Sequence, residues 1–282
     1  MTYRSQIFLV FLLFKTILLS AQNFNRPVPD KVAPYEFIRY DTNDYGYYLT
    51  APFRLGTGAP LTKSAMILDA DGYLFWYMPE NTQILLDFKY HPAQQQFSFI
   101  NYKSPEDIRF TLMNTDFQVV DSFTTVNGIR PDLHELTITA DQTYLLSGVY
   151  DTIMDLSAYQ FNGNPGSAQT SVIGFAVQEF DEAHQLLFQW KSTDHVHPTS
   201  AYDFFGYAPA NFDYAHGNAI WEDDDGGLLL SFRTTNAVYK INRTSGEVEW
   251  ELGGKNSSFT FPNDPGFSAQ HDIRRLPNGN IS

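Results

Sequence analysis

The sequence contains no cysteine. That absence removes disulfide staples, thiolate metal sites and cysteine nucleophiles, and leaves stability to the burial of apolar surface. Positive charge is scarce as well: 18 Lys and Arg stand against 32 Asp and Glu, for a formal net charge of −14. A chain this acidic repels phosphate backbones and anionic lipid surfaces, so nucleic acid is not an expected partner. Beyond residue 19 no apolar run approaches the ~20 residues that a bilayer-spanning helix needs. No integral membrane span is expected once the N-terminus is processed.

That N-terminus holds one short apolar run. Arg4 is followed by Ile7 to Leu19, interrupted at Lys15 and Thr16, and then by Ser20-Ala21. The pattern reads as a secretory signal peptide over residues 1–21 with cleavage after Ala21; an uncleaved membrane anchor is the alternative. Export, to a periplasm or the medium, is the expected localisation. Losing Arg4 and Lys15 takes the formal charge from −14 to −16.

Aromatic side chains are abundant, with 24 Phe, 17 Tyr and 4 Trp, and flat or branched side chains favour pleated surfaces. Residues 22–63 are Pro-rich and read as a short leading segment. From residue 64 to 282 the chain repeats itself. Phe110-Thr-Leu-Met-Asn114 precedes Val119-Val120 and Phe123; Val177-Gln-Glu-Phe-Asp181 precedes Leu186-Leu187 and Trp190; Val238-Tyr-Lys-Ile-Asn242 precedes Val248 and Trp250. Each is a strand, an Asn/Asp turn and a second strand.

A different strand pair leads into each copy. His134 opens a phrase ending at Leu145-Leu146-Ser147, and His216-Gly-Asn218 opens one ending at Leu228-Leu-Leu-Ser231. A weaker copy runs from Leu85 to Phe99, with Asp87 at the histidine position, and His271 begins a further one. Four short strands per unit is the content of a propeller blade. The expected fold is therefore all-β, a β-propeller of four-stranded antiparallel blades over residues 64–282. It is expected to be incomplete, because the sequence stops inside a phrase. Insertions at roughly 151–170 and 194–214 are expected as loops on one face.

Equivalent positions of successive blades are related by rotation about one axis. His134, His216 and His271 share a phase and should converge, with Asp132, Glu135, Asn218, Gln270, Asp272 and Arg233 around them. Imidazoles, an amide and a guanidinium fork together suit a tetrahedral oxyanion. A neutral imidazole is a competent nucleophile near pH 7, and cationic neighbours help to keep it unprotonated.

The phrases Asp132-Leu-His134-Glu135, His216-Gly-Asn218 with Arg233 downstream, Gly253-Gly254, and Gln270-His271-Asp272 with Leu276-Pro-Asn-Gly-Asn280 resemble the bacterial arylsulfate sulfotransferases from about residue 64 onward. The resemblance implies an exported propeller enzyme that moves a sulfuryl group from a phenolic sulfate ester to a phenol. It implies no cofactor and no nucleotide sulfate donor. Its substrates would be small aryl sulfates and phenols. His271 then matches the histidine that is transiently sulfurylated, while His134, His216, Asn218 and Arg233 match positions that hold the sulfuryl oxygens. The chain departs from the family pattern by lacking later blades, cysteines and a long N-terminal sandwich.

Two other readings compete. Three histidines also suit a metal site and hence a hydrolase or lyase, against which Arg233 argues by its charge. His195-Val-His197 beside Asp194 is a second histidine pair of that kind. A non-catalytic exported propeller that binds glycan or protein is the remaining class. His91 and His184 fall in turns and receive no role.

Overall fold

The computed structural model describes residues 22–24, 28–29, 32, 35–40, 43, 46–52, 64–78, 84–202 and 207–282. The expected signal peptide at 1–21 lies outside them. Among the described residues the only helical pieces are two 3₁₀ turns, Ser192–Asp194 and Pro198–Ser200, and no helix is long and apolar enough to cross a membrane.

Three sheets built on four antiparallel strands in sequence order follow one another along the chain, and the second also takes the short strand Phe212–Asp213 in parallel against its third. The first comprises Ile84–His91, Gln96–Ser104, Asp107–Met113 and Val119–Phe123. The second comprises Arg130–Ile138, Tyr144–Met154, Thr170–Phe180 and Leu186–Lys191. The third comprises Gly217–Glu222, Leu228–Phe232, Ala237–Ile241 and Val248–Gly253. The repeated Asn/Asp forms the turn between the third and fourth strands of each sheet, because its carboxamide or carboxylate can mimic a backbone acceptor. Asn114 Oδ1 accepts from the amides of Asp116 and Gln118, Asp181 Oδ1 from Ala183 and Gln185, and Asn242 Oδ1 from Thr244 and Ser245.

The sheets stack face to face with their first strands innermost, which makes them blades of a propeller. Phe110, Leu112 and Phe123 of the first pack with Leu136, Leu146 and Phe180 of the second. Phe175, Val177 and Trp190 of the second pack with Ile220, Leu230, Phe232 and Tyr239 of the third. Hydrogen bonds cross the same seams: Gln178 exchanges two with the backbone of Val126, Thr137 Oγ1 donates to Ile220 O at 2.9 Å, and Trp190 Nε1 donates to Gly246 O at 2.9 Å. Phe232 is fully buried at the second seam, with ring centroids 5.4 Å from Phe175 and 5.0 Å from Tyr239. Phe232→Ala is expected to cost ~3–5 kcal/mol. Chemical denaturation checks this, and a loss below about 1 kcal/mol would mean that the blades do not lean on this ring.

Two boundaries differ from expectation. Tyr48–Thr50 pairs with Met66–Leu68, and that strand with Leu74–Tyr77, so a sheet runs across residue 63 where the leading segment was expected to end. The insertion at 151–170 is not all loop: Tyr144–Met154 and Thr170–Phe180 pair along their whole length, which confines the excursion to residues 155–169. Thr152 and Ile153 are branched residues that extend the ladder.

Candidate active site

The first strand of every blade is bulged near its start. The pairing register slips between Leu86 and Lys89, between Pro131 and Leu136, and between Gly217 and Ala219. A bulge bends the strand and re-aims its side chains. In the second blade Ser147 Oγ replaces the missing ladder partner, accepting from Glu135 N at 3.1 Å and donating to Glu135 O at 3.0 Å. Asp87, His216 and Asp272 adopt φ of 50°, 46° and 66°, a region where Asp, Asn and His are the tolerated non-glycine residues. Gly217 sits between His216 and Asn218 because a Cβ there would meet the Phe175 ring at 2.3 Å.

His134, His216 and His271 meet at this end of the inner strands. Their ring centroids are 5.7, 5.9 and 6.4 Å apart, and one nitrogen from each lies within 4.8 Å of the other two. Their second nitrogens differ in partner. His134 Nδ1 is 2.7 Å from Asp132 Oδ1 and His216 Nδ1 is 2.6 Å from Asp213 Oδ2, whereas His271 Nδ1 is 3.1 Å from the carbonyl of Ala269. A carbonyl only accepts, so His271 carries its proton on Nδ1 and leaves Nε2 with a lone pair.

The environments of two of these rings are pushed apart. Burial lowers the His271 pKa, and the positive fields of His134, His216 and Arg233 lower it further. For His134 burial also acts downward, but the hydrogen bond and charge of Asp132, with the charges of Asp87 and Glu135, outweigh it and raise the pKa. Burial pushes the Asp87 carboxyl up to about 7 despite Lys89 at 3.0 Å.

The loop bearing His271 is tied to the third blade. Buried Asn218 donates to Gln270 O at 3.1 Å and its Oδ1 accepts from Asp272 N at 3.3 Å. Gln270 Nε2 reaches Phe232 O and Ala237 O at 3.0 and 2.9 Å, and Asn236 Oδ1 accepts from Ala269 N at 2.8 Å. The Asn218 amide thus spans the backbone on either side of His271. Arg233 N donates to His216 O at 3.2 Å, which sets this arginine at the same rim. Beneath the histidines, buried Glu135 pairs with Lys89 and, at 2.9 Å, with Arg274, and Arg274 also pairs with Asp272 at 2.5 Å.

The sequence missed Asp213 and the Ala269 carbonyl. The spacing Asp213-x-x-His216, parallel to Asp132-x-His134, was the available signal for the first. His195 and His197 do not converge: His195 stacks on Trp190 at 5.0 Å and His197 Nδ1 contacts Thr199 Oγ1 at 2.8 Å. His91 contacts buried Ser98, and His184 contacts Asp121 at 2.8 Å. The converging nitrogens of His134, His216 and His271 could hold one tetrahedral ion, and the field of Arg233 opposes a divalent one.

Residues 98–281 match the family described as Arylsulfotransferase (ASST). No curated protein matches the sequence. A protein of unknown function from Bacteroides caccae is similar in structure over 77% of this chain and 77% of its own, at 10% identity and a TM-score of 0.36. Virginiamycin B lyase from Staphylococcus aureus is similar over 78% of this chain and 61% of its own, at 13% identity and a TM-score of 0.39. A catalytically inactive form of that lyase with quinupristin is similar over 93% and 87%, at 13% identity and a TM-score of 0.38.

Proposed function

Because this chain belongs to the arylsulfotransferase (ASST) family, we propose that its three-histidine mouth moves a sulfuryl group from a phenolic sulfate ester to a phenol, with His271 as the covalent carrier. The observation that carries the reading is the contrast in partners: His134 and His216 face carboxylates, and His271 faces a carbonyl. Asp132 thereby biases His134 toward donating to an oxyanion, and His271 is biased toward attacking.

Nε2 of His271 attacks sulfur, the S–O(aryl) bond breaks, and a phenolate leaves. His134 supplies that phenolate with a proton. In the second half the acceptor phenol returns a proton to His134 as its oxygen attacks sulfur, and the N–S bond breaks to restore the lone pair. One ester and one phenol go in, and one of each comes out. His134, His216 and Arg233 hold the sulfuryl oxygens, in a cluster preorganised for charge that grows in the transition state. Asn218 was expected among these holders. With its amide on the backbone of residues 270 and 272, its proposed role is to position His271. The apolar N-terminal run supports an exported setting.

The test is to mix the protein with an aryl sulfate and no acceptor, and to seek one added sulfuryl group on the peptide containing His271. An unmodified peptide alongside steady turnover would remove the carrier. The second reading, a metal hydrolase or lyase, is favoured by the closeness of the three histidine nitrogens; it requires activity to fall with a chelator, where the transferase requires none to be lost.

A pH profile follows from the same environments. The productive state holds His271 neutral and His134 protonated. Lowering one pKa and raising the other from the usual 6.5 makes that state dominant between the two values. The rate should be bell-shaped, with an acid limb below 6.5 from His271 and an alkaline limb above it from His134. Asp132→Asn removes the main upward influence on His134, so only the alkaline limb should move to lower pH. An unmoved alkaline limb would assign that proton elsewhere.

A further inference from the structure

The two insertions of the second blade and the loop after the third enclose a cleft of about 150 Å³, walled by Phe161, Tyr202, Tyr207 and Phe212 and bordered by Gln160 and Lys255. Phe161 stacks on Tyr207 at 4.4 Å and 9° and meets Phe212 edge-on at 5.0 Å. A volume of ~150 Å³ is enough for one benzene ring. Lys255 Nζ sits 5.2 Å from the Tyr202 ring and donates to Thr199 O and Ala201 O at 2.8 and 2.6 Å. An ammonium has three N–H donors, so one is left over. No carboxylate lines the cleft among the described residues, in a chain whose net charge is −14.

The cleft borders two segments that also carry the histidine mouth. Phe212 immediately precedes Asp213, whose carboxylate grips His216. Tyr202 N donates to Thr234 O at 2.7 Å, and Thr234, the neighbour of Arg233, donates from its own amide to Ala215 O at 3.2 Å.

We propose that this cleft is the aryl subsite of the transfer reaction and that it selects a single benzene ring bearing an anionic substituent, held at the far end by Lys255. The ring lies among the aromatic walls, with its anionic group toward Lys255. Its place in the reaction rests on the function proposed above, whereas its binding chemistry does not.

The experiment is calorimetric binding of 4-hydroxybenzoate and of phenol, without turnover, to the wild-type chain and two variants. The wild type should prefer 4-hydroxybenzoate. Lys255→Gln should weaken 4-hydroxybenzoate about 10-fold, the scale of ~1.4 kcal/mol, and leave phenol unchanged. Gln160→Phe, at an exposed position on the rim, should weaken both ligands by narrowing the entrance, which keeps the test valid if Lys255→Gln disturbs the loop. Equal affinity of the wild type for both ligands, or a preference that survives Lys255→Gln, overturns the subsite even if His271 is sulfurylated. The predicted pattern without any sulfuryl adduct on His271 upholds the subsite and overturns the transfer.

Discussion

Replacing His271 by alanine is expected to abolish the sulfuryl adduct and to lower turnover by roughly 10⁴-fold or more, the scale seen when a covalent nucleophile is removed. The other two imidazoles do not substitute for it. Asp132 raises the His134 pKa and favours that ring as a cation without a free lone pair, and His216 has Nδ1 engaged by Asp213. His271 is exposed, and its side chain meets the Ala269 carbonyl and the rings of His134 and His216 but, among the described residues, no core residue of the blades. The variant should therefore unfold within about 0.5 kcal/mol of the wild type, as surface substitutions usually do. Lost activity at unchanged stability separates chemistry from folding. Turnover that persists in His271→Ala would assign the nucleophile elsewhere.

Arg233→Ala is expected to slow both half-reactions by ~10²–10³-fold, because a preorganised donor for the sulfuryl oxygens is lost in each. Arg233→Lys should recover part of this, since a point charge replaces a fork that can grip two oxygens at once. The arginine also lowers the His271 pKa, so its removal should move the acid limb to higher pH. That displacement tells it apart from a residue that merely shapes the rim. Pre-steady-state rates with and without acceptor measure both effects. A loss confined to one half-reaction would mean that Arg233 contacts only donor or only acceptor.

The blades were legible because their signals are local. Asn114, Asp181 and Asn242 fix turns through amides two to four residues away, so a linear reading finds them. The convergence of His134, His216 and His271 was legible through repetition, since equal phase in equal units means closeness about an axis. The fine structure of the site was not. Asp213 stands three residues before His216 where Asp132 stands two before His134, so the repeats do not align the two carboxylates, and Asn218 had the same residue type whether its amide faced a ligand or the backbone of 270 and 272. The excursion was overestimated because Asp151 interrupts the apolar pattern, although Thr152, Ile153 and Met154 continue the ladder beyond it. The wall of the aromatic cleft comes from three separated stretches, which no local pattern unites.

The slipped register at the head of each inner strand separates two histories within one blade. A side chain standing in such a kink belongs to neither face of the sheet, so Asp87 in one blade and His134 in the next can differ while Phe110 and Leu146 beneath them stay buried at 0% exposure. Chemistry at the rim can differ blade by blade while the layered interior keeps its packing. The scaffold can acquire a new reaction by exchanging a handful of rim letters, without renegotiating how its sheets stack.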